Sequence, residues 1–362
     1  MNSDISLNVN SIQRKHDKQI AVWLIVVAAV IFFMILLGGA TRLTHSGLSM
    51  VDWNPVMGIV PPLDEGEWFE TFEQYKKYPE YKKINQGMSL EAFKSIFYFE
   101  YFHRLLGRLI GLIFLLPCLF FLFRGAIRPS LLPQMTTMFI LGGLQGLLGW
   151  YMVKSGLVND PQVSQYRLTA HLLAAVLIYG YILWVAFGLL KTSASDSLSH
   201  HLSEHLRINT RKLYNYSIAI VALIVGMISS GGLVAGTKAG YAYNTFPLMA
   251  GKFIPDGMYS MQPFWLNWFE NITAVQFNHR LIAYVLLLLI PFYSFAVRRH
   301  DITENSVIAA YSLLAMLVIQ LSLGIATLVF HMPVVLAVTH QGGAIVLFTI
   351  ALFICREIKD ET

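Results

Sequence analysis

Apolar residues in this chain gather into eight long runs set apart by polar or charged stretches. The runs are Ile20–Leu37, His103–Phe123, Leu131–Val153, Leu168–Leu190, Leu213–Thr237, Leu281–Val297, Ser306–Phe330 and Met332–Cys355. Most approach the roughly 20 residues that carry an α-helix across a bilayer core. Helices are expected because each satisfies its own backbone hydrogen bonds in lipid. The pattern predicts an all-α polytopic membrane protein with eight transmembrane helices. Between the last two runs only His331-Met332-Pro333 makes the turn. In the first long loop, Trp68-Phe-Glu-Thr-Phe-Glu-Gln-Tyr75 predicts a further helix lying at the interface.

The runs repeat. Glu100-Tyr-Phe-His103-Arg104-Leu-Leu-Gly107-Arg108 aligns with Gln276-Phe-Asn-His279-Arg280-Leu-Ile-Ala283-Tyr284 at an offset of 176. His falls on His and Arg on Arg, but Glu100 falls on Gln276. Gly38-Gly39 matches Gly231-Gly232 at an offset of 193, and Gly47, Gly58 and Pro62 match Gly240, Gly251 and Pro255. Gln145 and Gly149 match Gln320 and Gly324, and His171 matches His340. Each half therefore reads as a four-helix bundle with His on its second and fourth helices. An even helix count per half makes the repeats parallel. The expected division is 1–190 for the first half, 191–212 for a cytoplasmic linker and 213–362 for the second half. The first outer loop is 17 residues longer than its counterpart.

Composition supports the membrane reading. The 362 residues are 56% hydrophobic and only 13% charged, against about a quarter charged in soluble domains. The net charge of +5 is modest and its basic residues are scattered, which argues against nucleic acid. The two cysteines, Cys118 and Cys355, lie deep in apolar runs and read as helix packing. The linker histidines His200, His201 and His205 read as a solvated loop rather than a metal site. Lys and Arg on the short loops and tails, from Arg14 and Lys15 through Arg298, Arg299 and Lys359, place both termini in the cytoplasm. The second, fourth, sixth and eighth helices then run inward from outside. His103, His171, His279 and His340 each fall near the outer start of one of them.

Four histidines at one depth suggest two bis-His haem sites. Neutral imidazole is a common axial ligand, and facing helices can clamp one macrocycle inside a bundle. Zinc would need three or four ligands converging on one ion, whereas two pairs in separate halves suit two planar cofactors. Arg42, Arg104, Arg108, Arg167 and Arg280 lie at or near outer helix ends, where haem propionates would emerge and guanidiniums can pair them. Glu100 lies three residues before His103, on the same helical face. A carboxylate there can relay protons, stabilise a developing positive charge, or simply pair Arg104 or Arg108. Its replacement by Gln276 keeps the shape and removes the charge, so the chemistry is expected in the first half. These residues alone leave open a di-haem b-type electron-transfer cytochrome and an enzyme acting on haem.

Several longer motifs narrow the choice. They are Gly38-Gly-Ala-Thr-Arg-Leu-Thr-His-Ser-Gly-Leu-Ser-Met-Val-Asp-Trp53, Glu100-Tyr-Phe-His-Arg104, Gly149-Trp-Tyr-Met-Val-Lys-Ser-Gly156, Tyr243-Asn-Thr-Phe-Pro-Leu-Met249 and Val275-Gln-Phe-Asn-His-Arg280. Together they closely resemble the haem A synthase family, in its mitochondrial and proteobacterial form. The form with a cysteine pair in the first outer loop does not fit, since that loop has no cysteine.

The resemblance implies an oxidoreductase that converts haem O to haem A. A ring methyl becomes a formyl through hydroxylated intermediates, for terminal oxidase assembly. It implies a resident haem b on His279 and His340, and haem O on His103 and His171 with Glu100 as an essential acid. Haem O synthase and an electron acceptor are the partners it suggests, besides the bilayer. The N-terminus lacks a transit-peptide composition, so a bacterial plasma membrane is expected, with the haem sites toward the outer face.

Overall fold

The computed structural model describes residues 2–51, 59–158, 160–192, 204–300 and 302–359. Among the described residues the order is α1 (Asn2–Leu43), α2 (Glu65–Lys76), α3 (Pro79–Lys83), α4 (Leu90–Phe123), α5 (Leu132–Lys154), α6 (Gln165–Thr192), α7 (Glu204–Gly236), α8 (Ile272–Arg298), α9 (Glu304–Val329) and α10 (Val334–Lys359). All but α2 and α3 are long and apolar enough to cross a membrane, which gives the eight spans expected.

The helices overrun the apolar runs. α4 starts at Leu90 rather than near Glu100, because Ser89 Oγ caps it by accepting the Ala92 N–H at 3.2 Å. Its added turns carry Phe93 and Phe97, which need a partner outside the bundle. α7 begins at Glu204, so Arg207, Arg211 and Lys212 belong to a helix rather than to the linker. His200 and His201 lie outside the described residues, as does the side chain of His205.

Packing follows the repeat. α1, α4, α5 and α6 touch in that order, and α6 returns to α1. The same closed order holds for α7, α8, α9 and α10. The two rings meet where α6 lies on α7, α1 on α10 and α6 on α10. Exchanging α1 with α7 and α6 with α10 maps these contacts onto themselves, consistent with two parallel four-helix units. In each ring the two histidine-bearing helices, α4 with α6 and α8 with α10, stand diagonally across the interior.

The core sits between the rings, where Leu24 and Val27 of α1, Val176 and Ala186 of α6, Ile224 of α7 and Ile345 of α10 are buried. At the long-loop end α6 and α7 nearly touch. A Cβ on Gly236 would come within 2.6 Å of Gln165 Cα, so only glycine allows this crossing. Large apolar side chains such as Phe123, Phe292 and Val335 point outward and are mostly exposed, which hydrocarbon accommodates and water would not. Gly142, Gly143 and Gly146 of α5 have nothing within 4 Å of the Cβ direction. Their repeat positions on α9 carry Leu317, Val318 and Leu321, and Leu317 is buried.

The predicted helix at Trp68–Tyr75 is α2, capped by Asp64 accepting from the Glu67 N–H at 2.8 Å. Its Trp68, Phe72 and Tyr75 recur at helical spacing and pack on Phe93 and Phe97 of α4 in a second, smaller core. The Trp68–Phe97 and Phe72–Phe93 ring centroids are 5.0 and 4.9 Å apart. α3 places Glu80 beneath this cluster, 4% exposed. Tyr75 OH donates to Glu80 Oε2 at 3.3 Å and accepts from Asn85 Nδ2 at 2.7 Å. Burial first, and the charge of Glu100 second, push the Glu80 carboxyl from its ordinary 4.5 up to about 7.

The folded chain thus keeps a proton that the unfolded chain releases. Stability is greatest below the ordinary carboxylate pKa and falls as pH rises toward 7. Glu80→Gln should remove that slope. Thermal unfolding of the purified protein should show little difference from wild type at pH 5 and a gain on the order of 1–3 kcal/mol at pH 8.

Candidate functional site

Glu100 is buried, with only 3% of its surface exposed. Ser49 Oγ and the Met50 N–H both donate to its Oε2 at 2.8 Å. Arg104, one turn further along α4, donates from Nη2 to Glu100 Oε1 and to the Met50 carbonyl, each at 2.7 Å. Acid, base and loop backbone thus close on one residue, Met50.

The second half repeats this arrangement around the matching residue, Tyr243. Gln276 Nε2 and Arg280 Nη2 both donate to the Tyr243 carbonyl at 3.0 Å. Glu100 reads the N–H of its loop residue, whereas Gln276 reads the carbonyl. Only the first half therefore holds a buried carboxylate and an ion pair at this place.

All four histidines lie inside the bundle, partly or largely enclosed. His103 and His171 stand close enough for a charge on one to act on the other, as do His279 and His340. Each ring rests against a glycine of a neighbouring helix. A Cβ on Gly38 would come within 3.1 Å of His103 Nε2, and one on Gly149 within 2.9 Å of His171 Cε1. In the second half the corresponding contacts are Gly231 with His279 at 3.4 Å and Gly324 with His340 at 2.8 Å. Gln145 Nε2 donates to the His171 carbonyl and Gln320 Nε2 to the His340 carbonyl, both at 2.9 Å. The Nδ1 atoms of His171 and His340 are buried without a hydrogen-bond partner among the described residues.

The arginines gather at the long-loop end. Arg167 of α6 donates to the Tyr151 carbonyl at 2.8 Å and lies 3.7 Å over the Tyr151 ring. Arg280 also reaches the Pro247 carbonyl at 3.5 Å. Arg108 follows Arg104 by one turn of α4. Arg42 closes α1 within electrostatic reach of Tyr241, a residue of the other half. A guanidinium has five donors, so these bonds leave capacity for an anion.

Such pairs fit haem. Each ring offers two imidazoles from helices standing across its interior, glycines that keep the helices close to them, and basic groups at one rim. The sequence reading quotes Ser49, Met50 and Tyr243 only within the longer motifs and gives them no role at the site. Met50 and Tyr243 were nevertheless detectable, since they share the 193-residue offset of the flanking glycines.

The model of the COX15–CtaA family, described as cytochrome oxidase assembly protein, matches residues 21–352. The haem A synthase of Nitrosospira multiformis is 50% identical over 345 residues, covering 95% of both chains. That of Nitrosomonas eutropha is 48% identical over 340 residues, covering 94% of both. That of Parvibaculum lavamentivorans is 43% identical over 347 residues, covering 95% of this chain and 96% of its own. The match spans all eight long helices, both histidine pairs and Glu100, and this chain belongs to the COX15–CtaA family of cytochrome oxidase assembly proteins.

Proposed function

We propose that the haem A synthase activity this chain shares with its relatives is divided between its two halves. Residues 1–190 hold haem O and oxidise it, and residues 213–362 keep a resident haem b. One observation carries this reading: the break in an otherwise repeated constellation, Glu100 and Arg104 on Met50 against Gln276 and Arg280 on Tyr243.

In this reading His103 and His171 bind the substrate iron, and His279 and His340 bind haem b through neutral imidazoles. Arg104, Arg108 and Arg167 receive the substrate propionates, Arg280 those of haem b, and Arg42 sits between the halves. Haem b supplies a one-electron carrier beside the substrate site. Glu100 shares a face of α4 with His103. Oxidation of a ring methyl to a formyl, with oxygen from water, releases four electrons and four protons. Positive charge develops at the methyl carbon as electrons leave, and a fixed carboxylate stabilises that charge or takes a proton from the attacking water. Ser49, Met50 and Arg104 keep the carboxylate in place throughout.

The chain is an integral membrane protein. We place it in a bacterial plasma membrane, and the loop charges support cytoplasmic termini and haem sites toward the outer face. Haem O synthase is the proposed donor of substrate, and an electron acceptor completes the reaction.

The test is extraction of pigments from protein expressed in cells that make haem O, followed by chromatography. Wild type should yield haem b together with haem A or its hydroxylated precursor. Glu100→Gln should retain haem b and lose product by about 100-fold or more. His279→Ala should lose haem b. Two equivalents of unmodified haem b in wild type and in Glu100→Gln would instead identify an electron-transfer cytochrome.

A further inference from the structure

One histidine of the four differs from the rest in what its second ring nitrogen touches. Ser230 Oγ of α7 lies 2.8 Å from His279 Nδ1 of α8. The same oxygen lies 2.8 Å from the Met227 carbonyl, one turn back on α7. A hydroxyl has one proton, and a carbonyl can only accept. Both contacts are hydrogen bonds in one arrangement alone: Ser230 donates to Met227, and His279 Nδ1–H donates to Ser230. In that arrangement the proton is on Nδ1, and Nε2 carries the lone pair that a metal needs.

The matching stretch of the first half removes this device. Met34-Ile-Leu-Leu37-Gly38-Gly39 aligns with Met227-Ile-Ser-Ser230-Gly231-Gly232. Methionine, isoleucine and both glycines are kept, while two leucines stand where the second half has two serines. Leu37 has no polar atom in its side chain to receive a proton from His103. His171 and His340, the remaining two, have no hydrogen-bond partner at Nδ1 among the described residues. Among the described residues, His279 alone of the four is both seated against a glycine and tied at Nδ1 to a neighbouring helix.

We infer that Ser230 is a positioning residue for the resident haem, holding the His279 imidazole in its Nε2-ligating tautomer and orientation. The inference rests on the reading of His279 as a haem b ligand. A donated Nδ1–H bond makes the ligating nitrogen more basic and restrains the ring, and loss of such outer partners commonly weakens metal binding by 10–100-fold. A more basic ligand favours the ferric state. The ring without this restraint, His103, belongs to the half that must accept one molecule and release another.

Three variants of the full-length, haem-loaded protein decide the matter: Ser230→Ala, Ser230→Thr and His279→Ala. Haem b transfer to excess apomyoglobin, the ferric low-spin electron paramagnetic resonance spectrum and the haem b midpoint potential are measured for each. Ser230→Ala should bind haem b but lose it about 10–100-fold faster. Its midpoint should move to a more positive value and its low-spin signal should shift. Ser230→Thr retains the hydroxyl and should restore all three properties. Unchanged loss rate, spectrum and potential in Ser230→Ala, with haem b absent from His279→Ala, would overturn the role of Ser230 alone. Haem b retained by His279→Ala with its bis-imidazole spectrum would overturn the ligand reading beneath it.

Discussion

A polar side chain inside a membrane bundle must find its partner there, since lipid supplies none. That constraint orders the interior of both rings. Gln145 and Gln320 each donate to a backbone carbonyl, and in each case the carbonyl belongs to the histidine of the next helix. The bond pins the backbone at the residue whose side chain enters the ring, while a glycine one turn beyond the glutamine keeps the helices close. At the long-loop end the same demand is met by the backbone of Met50 and Tyr243, which receive or supply the bonds of the 100/104 and 276/280 pairs. Fixing the histidines, and anchoring the loops above them, thus follow from one requirement.

The eight spans were legible in the sequence, and the proposed halves and histidine pairs were read from it, because each depends on a periodic or repeated signal. Apolar runs of sufficient length leave little choice but helix, and the fixed offsets expose the duplication. Glu100 stood out for the same reason, as the one carboxylate in a repeated motif, replaced by its amide in the other half. What surrounds it was not legible. Ser49 and Met50 lie about fifty positions away, and a backbone N–H donor carries no signature in the residue that offers it. The start of α4 at Leu90 depends on aromatic packing against α2, a tertiary contact inside an insertion without a counterpart. Glu80 looked like one more charge on a polar loop, since its burial depends on where Tyr75 and Asn85 close over it. Ser230 sits in an apolar run as an ordinary small polar residue. Its meaning appears only when the neighbouring helix brings His279 to 2.8 Å.

The differences between the halves have a common direction. The first half carries a buried charge where the second has an amide. It leaves His103 beside leucine where the second ties His279 to serine. Its loop brings a further acid, Glu80, toward Glu100, on a stretch that is 17 residues longer than its counterpart in the second half. Each difference points the way of the division proposed above, on a backbone that is otherwise repeated.

The glycines of α5 carry that contrast into mechanics. Where α9 carries Leu317, Val318 and Leu321, α5 has Gly142, Gly143 and Gly146, with nothing within 4 Å of the Cβ direction. Side chains that are not there make no dispersion contacts that must be broken. Local opening free energies follow contact density, so this stretch of α5 is held by fewer contacts than the matching stretch of α9. Amide hydrogen exchange along the two helices reads that difference directly.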